Sequence, residues 1–236
     1  MAEGKKEQVR SMFNKIAWRY DLLNHLLSLN IDKIWRRKLV KMLSVKHPDS
    51  ILDVATGTGD LAITASRINP REIIGIDIAE EMLQIGRKKV AAKGLQNMIT
   101  LQTADSENIP FSTERFDATM VAFGVRNFEN LDLGLSEMQR ILKKNGTIYV
   151  LEFSIPTNKM FRPFYFFYFK NILPLIGKMV SRDTAAYTYL PDSVSAFPSG
   201  PAFIERLEKA GFTQCTILSL TFGIATIYTG EKQSAS

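Results

Sequence analysis

The spacing of apolar positions changes character along the chain. Between residues 8 and 27, Val9, Met12, Phe13, Ile16, Tyr20, Leu23 and Leu27 recur at steps of three and four, the period of one helical face. This predicts a helix laid on something larger, with an optional break near Tyr20 and Asp21. Asp32 reads as the N-cap of a second helix, with Trp35, Leu39, Met42 and Leu43 inward and Lys33, Arg36, Arg37, Lys38 and Lys41 mostly outward. From residue 50, short apolar runs alternate with helical patterns: strands near 51–55, 72–77, 99–103, 116–121 and 147–152, helices near 60–68, 79–93 and 130–143. Regular alternation demands crossover connections, hence a mainly parallel sheet covered on both faces. Leu131, Leu135, Met138 and Leu142 share one face of the last helix, and Lys143-Lys144-Asn145-Gly146 reads as its end.

After residue 152 the alternation stops. Residues 153–198 carry Phe161, Phe164, Tyr165, Phe166, Phe167, Tyr168 and Phe169, then Tyr187, Tyr189 and Phe197, with five interspersed prolines. This reads as an insertion. The rhythm returns with a helix near 200–210 and two strands near 213–219 and 223–229, joined by Phe222-Gly223 and antiparallel to each other. The expectation is one doubly wound α/β domain over 1–236, with a mainly parallel seven-stranded sheet and an antiparallel last strand. Its parts are a helical lid (1–48), a core (49–152), an aromatic insertion (153–198) and a C-terminal helix with two strands (199–236).

Charge adds one feature. The net +6 is concentrated at the start, where residues 1–47 hold eleven Lys and Arg against four Asp and Glu. Such a patch suits nucleic acid, anionic lipid or simple solvation. The single cysteine, Cys215, excludes a disulfide within one chain and suits a reducing compartment. No stretch reaches the roughly 18 uncharged apolar residues of a spanning helix, so a cytoplasmic protein is expected, with peripheral contact to the inner face of the membrane as an option.

The candidate chemistry starts at Ser50-Ile-Leu-Asp-Val-Ala-Thr-Gly-Thr-Gly-Asp60, an apolar run that meets an acid and breaks into a glycine turn. Gly57 and Gly59 would admit a ligand close to the backbone, and the following helix N-terminus offers free N–H groups. Asp77 ends the second strand, where a carboxylate can accept ribose hydroxyls, and Asp105 ends the third, where an acceptor could take an adenine amine. A dinucleotide fingerprint, Gly-x-Gly-x-x-Gly, is absent. Instead Asp53 precedes the glycines, and a carboxylate there repels a pyrophosphate but favours an ammonium or sulfonium. That charge argument points from NAD toward S-adenosylmethionine; no metal is expected.

The segments Leu52-Asp-Val-Ala-Thr-Gly-Thr-Gly-Asp60, Gly75-Ile-Asp-Ile-Ala-Glu-Glu-Met-Leu83, Asp105-Ser-Glu-Asn-Ile-Pro-Phe111, Phe116-Asp-Ala-Thr and Leu142-Lys-Lys-Asn-Gly146 resemble class I methyltransferases. Four more, Phe13-Asn-Lys-Ile-Ala-Trp-Arg-Tyr-Asp21, Phe123-Gly-Val-Arg-Asn127, Leu151-Glu-Phe-Ser154 and Tyr187-Thr-Tyr-Leu-Pro-Asp-Ser193, resemble the quinone C-methyltransferases of menaquinone and ubiquinone biosynthesis, the UbiE/MenG family. The match runs from about residue 8 to 232.

The resemblance implies a Rossmann-like class I fold and C-methylation of demethylmenaquinol, or of the ubiquinone precursor, or of both. It implies that Gly57, Thr58 and Gly59 line the methionine end of the cofactor, that Asp77 holds the ribose, and that Asp105 with Ser106 meets the adenine. Ala122 stands where some members have a serine contacting the cofactor. Ala55 stands where the wider superfamily usually has glycine, which is harmless if its φ is negative. Arg126 and Asn127, just past the fourth strand, are candidates to stabilise a developing phenolate and to orient the ring oxygen. Tyr20 and Asp21 of the lid are candidates for substrate contact, and Glu152 is a weaker proton acceptor. The plainer alternative is that Arg126 pairs with an acid and Tyr20 packs in the lid. The seven aromatics among residues 161–169 exceed one helical face, so some face a ligand, a membrane or another subunit unless all pack in the core, and in the quinol reading they would hold the isoprenoid tail. A homodimer through that insertion is a further expectation. An RNA methyltransferase is the rival suggested by the basic arm, but no Asn/Asp-Pro-Pro-Tyr motif is present, so no nucleic-acid partner is expected. A binding module without turnover is the other rival.

Overall fold

A computed structural model describes residues 4–28, 30–156, 162–167 and 185–233. The strands are β1 (Ser50–Val54), β2 (Glu72–Asp77), β3 (Ile99–Thr103), β4 (Phe116–Ala122), β5 (Leu142–Phe153), β6 (Phe212–Leu220) and β7 (Ala225–Lys232). They form one sheet in the order β3-β2-β1-β4-β5-β7-β6. β1 to β5 pair in parallel, while β7 runs antiparallel to both β5 and β6. The expected sheet and its antiparallel last strand are therefore present. The helices are α1 (Lys5–Leu27), α2 (Ile31–Leu43), α3 (Asp60–Ala65), α4 (Glu80–Ala92), α5 (Leu131–Ile141), α6 (Arg162–Phe167), α7 (Ala185–Ala196) and α8 (Pro201–Lys209).

β1 is buried throughout, which is why its sequence is a near-continuous apolar run. Its alternate residues serve opposite layers: Ile51 packs with Leu39, Leu61 and Leu83 on the side of α2, α3 and α4, whereas Leu52 and Val54 pack with Leu135, Met138 and Phe203 on the side of α5 and α8. The sheet order reverses between β1 and β4, and the loops leaving these two strands diverge there, where parallel sheets bind ligands.

Three local expectations are corrected. α1 is unbroken through Tyr20 and Asp21. Asp32 is not a cap: Asn30, with φ of 61°, precedes α2, and Asp32 is buried in its first turn. There it accepts from Ser28 at 2.6 Å and pairs with Arg36, which this partner draws inward. α5 ends at Ile141, so Lys143 to Gly146 belong to the start of β5, with Asn145 at φ 63°. In the insertion, Phe161, Tyr168 and Phe169 lie outside the described residues, as do the side chains of Phe164, Tyr165, Phe166 and Tyr187. Among the described residues, no helix is long and apolar enough to cross a membrane.

Candidate functional site

A cleft enclosing about 660 Å³, part of it open to solvent, lies over the carboxyl ends of β1, β2 and β4. One wall is α1, contributing Lys6, Val9, Phe13 and Tyr20. The floor is made by Ala55, Gly57 and Asp77, the far end by Asp105, Ser106 and Glu107, and the other wall by Ala122, Phe123, Gly124, Asn127 and Phe128.

The glycine turn is held from beneath. Alternation along β1 puts Asp53 on the same side as Ile51, under α3, so its carboxylate accepts from Thr56 Oγ1 at 2.6 Å and from the Ala62 N–H at 3.1 Å. It thereby caps α3, whose first residues follow Gly59 and find no cap of their own. Burial pushes the Asp53 carboxyl up to about 7, although both hydrogen bonds oppose the shift. Its Oδ1 is buried with no partner. A fixed cation nearby would offset that desolvation.

Gly57 sits at φ 56°, and its N–H donates to Asp77 Oδ2 at 2.9 Å. Asp77 Oδ1 accepts from the Ala79 N–H, also at 2.9 Å. Each oxygen keeps further lone pairs for ribose hydroxyls. Burial raises the Asp77 carboxyl, with the backbone donors pulling against it. Ala55 has φ 52°, so the condition of negative φ is not met, and this alanine holds a left-handed conformation at a cost of about 1–2 kcal/mol.

Asp53, Thr58 and Gly59, all expected to contact the cofactor, are not among the residues lining the cleft. Thr58 Oγ1 donates to Asp21 Oδ1 at 2.6 Å and accepts from Lys89 at 3.1 Å. Lys89 also pairs with Asp21 at 2.8 Å and with Asp60. Asp21 and Thr58 thus tie the lid to the turn and to α4. Gly59 precedes α3 at φ 78°.

At the far end, Asp105 lies two residues past β3, with Ser106 beside it in the lining. Its Oδ1 accepts from the Glu107 N–H at 2.9 Å, and its Oδ2 pairs with Lys6 at 2.7 Å. Lys6 also reaches Glu107 at 3.1 Å, and its hydrogen bond to Asp105 raises the ammonium pKa. An adenine amine at Asp105 would have to share that carboxylate with Lys6.

The loop after β4 holds the remaining candidates. Asn127 lines the cleft, its Oδ1 accepting the Tyr189 hydroxyl at 3.0 Å and its amide nitrogen donating one proton to the Phe123 carbonyl at 3.5 Å, which leaves the second proton to donate. Arg126 is turned away: its guanidinium pairs with Glu152 at 2.7 Å, with side chains 7% and 0% exposed. Burial raises the Glu152 carboxyl against the pull of Arg126. Both therefore follow the plainer alternative, an ion pair behind the cleft wall and not a donor or base facing the ring. Tyr20 faces the cleft and meets Phe13 edge-on at 5.8 Å. Burial raises its phenol, so it stays protonated. Phe123, at φ 60°, stacks on Phe153 at 4.4 Å. Lys6, Met82, Phe128 and the partner Tyr189 had not been singled out for the site; a helical period through Lys6, Val9, Phe13 and Tyr20 was the available signal for the first.

A sequence profile of the ubiE/COQ5 methyltransferase family matches residues 1–232. The chain belongs to this family. It is 47% identical to a demethylmenaquinone methyltransferase of Bacteroides fragilis over 98% of this chain and 95% of that relative. It is 46% identical to a ubiquinone/menaquinone biosynthesis C-methyltransferase UbiE of Geobacter sulfurreducens, over 97% and 90%. Among solved structures, a SAM-dependent methyltransferase from Thermotoga maritima matches with TM-score 0.66 at 18% identity, covering 94% of this chain and 99% of that one. The cyclase SpnF matches with TM-score 0.70 at 17% identity, covering 99% and 98%. Since a cyclase shares the fold, the fold alone does not fix the reaction. The family does, as methyl transfer, and the acceptor that the cleft presents fits S-adenosylmethionine: Asp77 lines it with both oxygens fixed by backbone N–H groups and lone pairs left for the ribose.

Proposed function

We propose that the protein carries the methyl group of S-adenosylmethionine to a ring carbon of demethylmenaquinol, giving menaquinol. One observation carries this reading: a single cleft joins a carboxylate end, Asp77 and Asp105, to an aromatic wall of Phe13, Tyr20, Phe123 and Phe128 that suits a flat apolar ring. The names of the relatives supply the ring.

When bound, the cofactor supplies an electrophilic methyl on a positive sulfur. Asp77 would hold its ribose part, with Asp53 fixing the glycine turn from beneath, leaving the aromatic wall to orient the ring. The ring carbon gains the methyl and loses its proton, and it reacts best as the quinol hydroxyl gives up a proton. Asn127, set by Tyr189, would donate from its amide nitrogen to a ring oxygen that gains charge. Tyr20, protonated through burial, would donate from the lid side. Holding ring and methyl in line supplies much of the acceleration, since well-oriented reactants gain about 7–11 kcal/mol of barrier.

Benzoquinol methylation is the second reading, favoured by the name of the Geobacter relative. The test incubates the protein with labelled S-adenosylmethionine and reduced demethylmenaquinone, the demethyl ubiquinone precursor, or RNA. Label in the naphthoquinol supports the proposal, label in the benzoquinol alone moves it to the second reading, and label only in RNA sinks both. The polyprenyl tail of such a substrate supports peripheral contact with the membrane during turnover.

A further inference from the structure

The side of the N-terminal helices that turns away from the cleft has its own chemistry. On α1, Val9, Phe13 and Tyr20 line the cleft and Ile16 and Ala17 are buried. Residues half a turn away point outward: Lys15 is exposed, Trp18 is 69% exposed and Leu22 60%. On α2, Trp35, Leu39, Val40 and Leu43 are buried, which leaves Lys33, Ile34, Arg37, Lys38 and Lys41 outside, Ile34 being 59% exposed. Trp18 and Leu22 lie toward the end of α1 and Ile34 at the start of α2, so the three flank one helical corner.

The charge at that corner has one sign. Glu7 pairs with Arg10 at 2.7 Å, Asp21 with Lys89 at 2.8 Å, and Asp32 is buried against Arg36. Lys15, Lys33, Arg37, Lys38 and Lys41 have no ion-pair partner among the described residues. Exposed indole and aliphatic side chains ringed by cations suit the headgroup layer of an anionic bilayer, where Trp prefers to sit and Lys and Arg are attracted. RNA would use the cations but not Leu22 or Ile34. A second copy of the same face would bring like charges together.

We propose that the α1–α2 corner docks on an anionic lipid surface, with Trp18, Leu22 and Ile34 entering the headgroup layer and Lys15, Lys33, Arg37 and Lys38 facing its charges. The purpose of docking rests on the quinol reading, because it would bring the cleft, walled by the same α1, to the lipid that holds a polyprenyl tail.

The test sediments the full chain with phosphatidylcholine vesicles, with and without phosphatidylglycerol. Binding is expected with phosphatidylglycerol, weak without it, and reduced by salt. Tryptophan emission should shift to the blue on those vesicles, and Trp18→Phe should abolish the shift while buried Trp35 stays silent. Each cation removed lowers partition about fivefold, so the double reversal Lys33→Glu with Lys38→Glu should lose well over tenfold while binding S-adenosylmethionine as before. Equal binding to both vesicles, or unchanged binding by the double reversal, overturns the proposal. Failure to bind either vesicle, with Leu22→Ser breaking a dimer or the charge reversal releasing RNA, also overturns it and assigns the face to that partner. No quinol enters this assay, so a protein that docks yet methylates no quinol would sink the substrate reading and leave the docking in place.

Discussion

Ala55 and Gly124 meet where the loops after β1 and β4 diverge, and the contact admits one methyl group only. A Cβ on Gly124 would stand 2.6 Å from the Ala55 methyl and 3.0 Å from Val121 Cγ2. Carbon atoms settle about 3.5–4.0 Å apart, and neither Cβ can rotate away from its backbone. Gly124→Ala must therefore push the two loops about 1 Å apart, at an overpacking cost of about 1–3 kcal/mol. Its φ of −113° is open to alanine, so no backbone strain is added. Ala55→Gly instead relieves about 1–2 kcal/mol of left-handed strain. It forfeits about 1 kcal/mol of methyl packing and about 0.4–1 kcal/mol through the looser unfolded chain, so it should be nearly neutral. The double variant moves the methyl across the contact and leaves the strained φ to glycine. We expect Gly124→Ala to lose about 2 kcal/mol in urea unfolding, or about 4–8 °C in Tm, and the double variant to return within about 1 kcal/mol of wild type. Cofactor affinity should follow the same order, because these loops carry Gly57 and Asn127. A Gly124→Ala protein as stable as wild type, or a double variant no better than the single, would refute the reasoning.

Three shorter predictions concern charge. The Asp53 carboxyl, about 7 when folded against an ordinary 3.8, keeps a proton in the folded state that the unfolded chain has lost, so its contribution is full below about 4 and disappears as pH rises through about 7; Asp53→Asn should remove that part of the pH slope in urea titrations, and an unchanged slope would show the group titrating elsewhere. Arg126→Ala strands a buried Glu152 and should lose about 3–5 kcal/mol, with Glu152→Gln added to it restoring part of the loss; a neutral Arg126→Ala in thermal unfolding would dismiss the ion pair. Lys6→Met frees Asp105 at a half-exposed pair worth about 0.2–1 kcal/mol of stability, so calorimetry should find cofactor binding unchanged or several-fold tighter, whereas a tenfold loss would make Lys6 itself a contact.

The sheet was legible because its central strands are buried on both faces and so read as apolar runs, and because the acid at the end of β2 and the one just past β3 come to one edge. Side-chain direction was harder. Asp53 and Arg126 were expected to face ligands, yet the same alternation that marks β1 as a strand already puts Asp53 on the face of Ile51, beneath α3. Arg126 turns to an acid 26 residues away, a pairing between two strand ends that no local spacing announces. Asp32 looked like a cap because a short acid precedes an apolar period, but burial beside Arg36 outweighs capping there. The left-handed Ala55 follows from the methyl-sized space opposite Gly124, a tertiary fact.

The contacts of the lid helix also shape the site. Among the described residues, its apolar footing at the start of α4 is Ala17 against Ala79 and Met82, with Phe13, Tyr20 and Ile85 at the margin. Among the described residues, polar contacts fix α1 at three places: Lys5 on the Arg126 and Phe128 carbonyls with Lys6 on Asp105 and Glu107 at one end of the cleft, Asn14 accepting the Glu81 N–H at 3.1 Å midway, and Asp21 on Thr58 and Lys89 beside the glycine turn. The two outer clips rest on segments that also shape the cleft, Asp105 in its lining and Thr58 in the turn that carries Gly57. The closed position of α1 and the shape of the cofactor end are therefore set by the same carboxylates and the same loop, so a change at Asp105 or Thr58 acts on the lid as well as on the site.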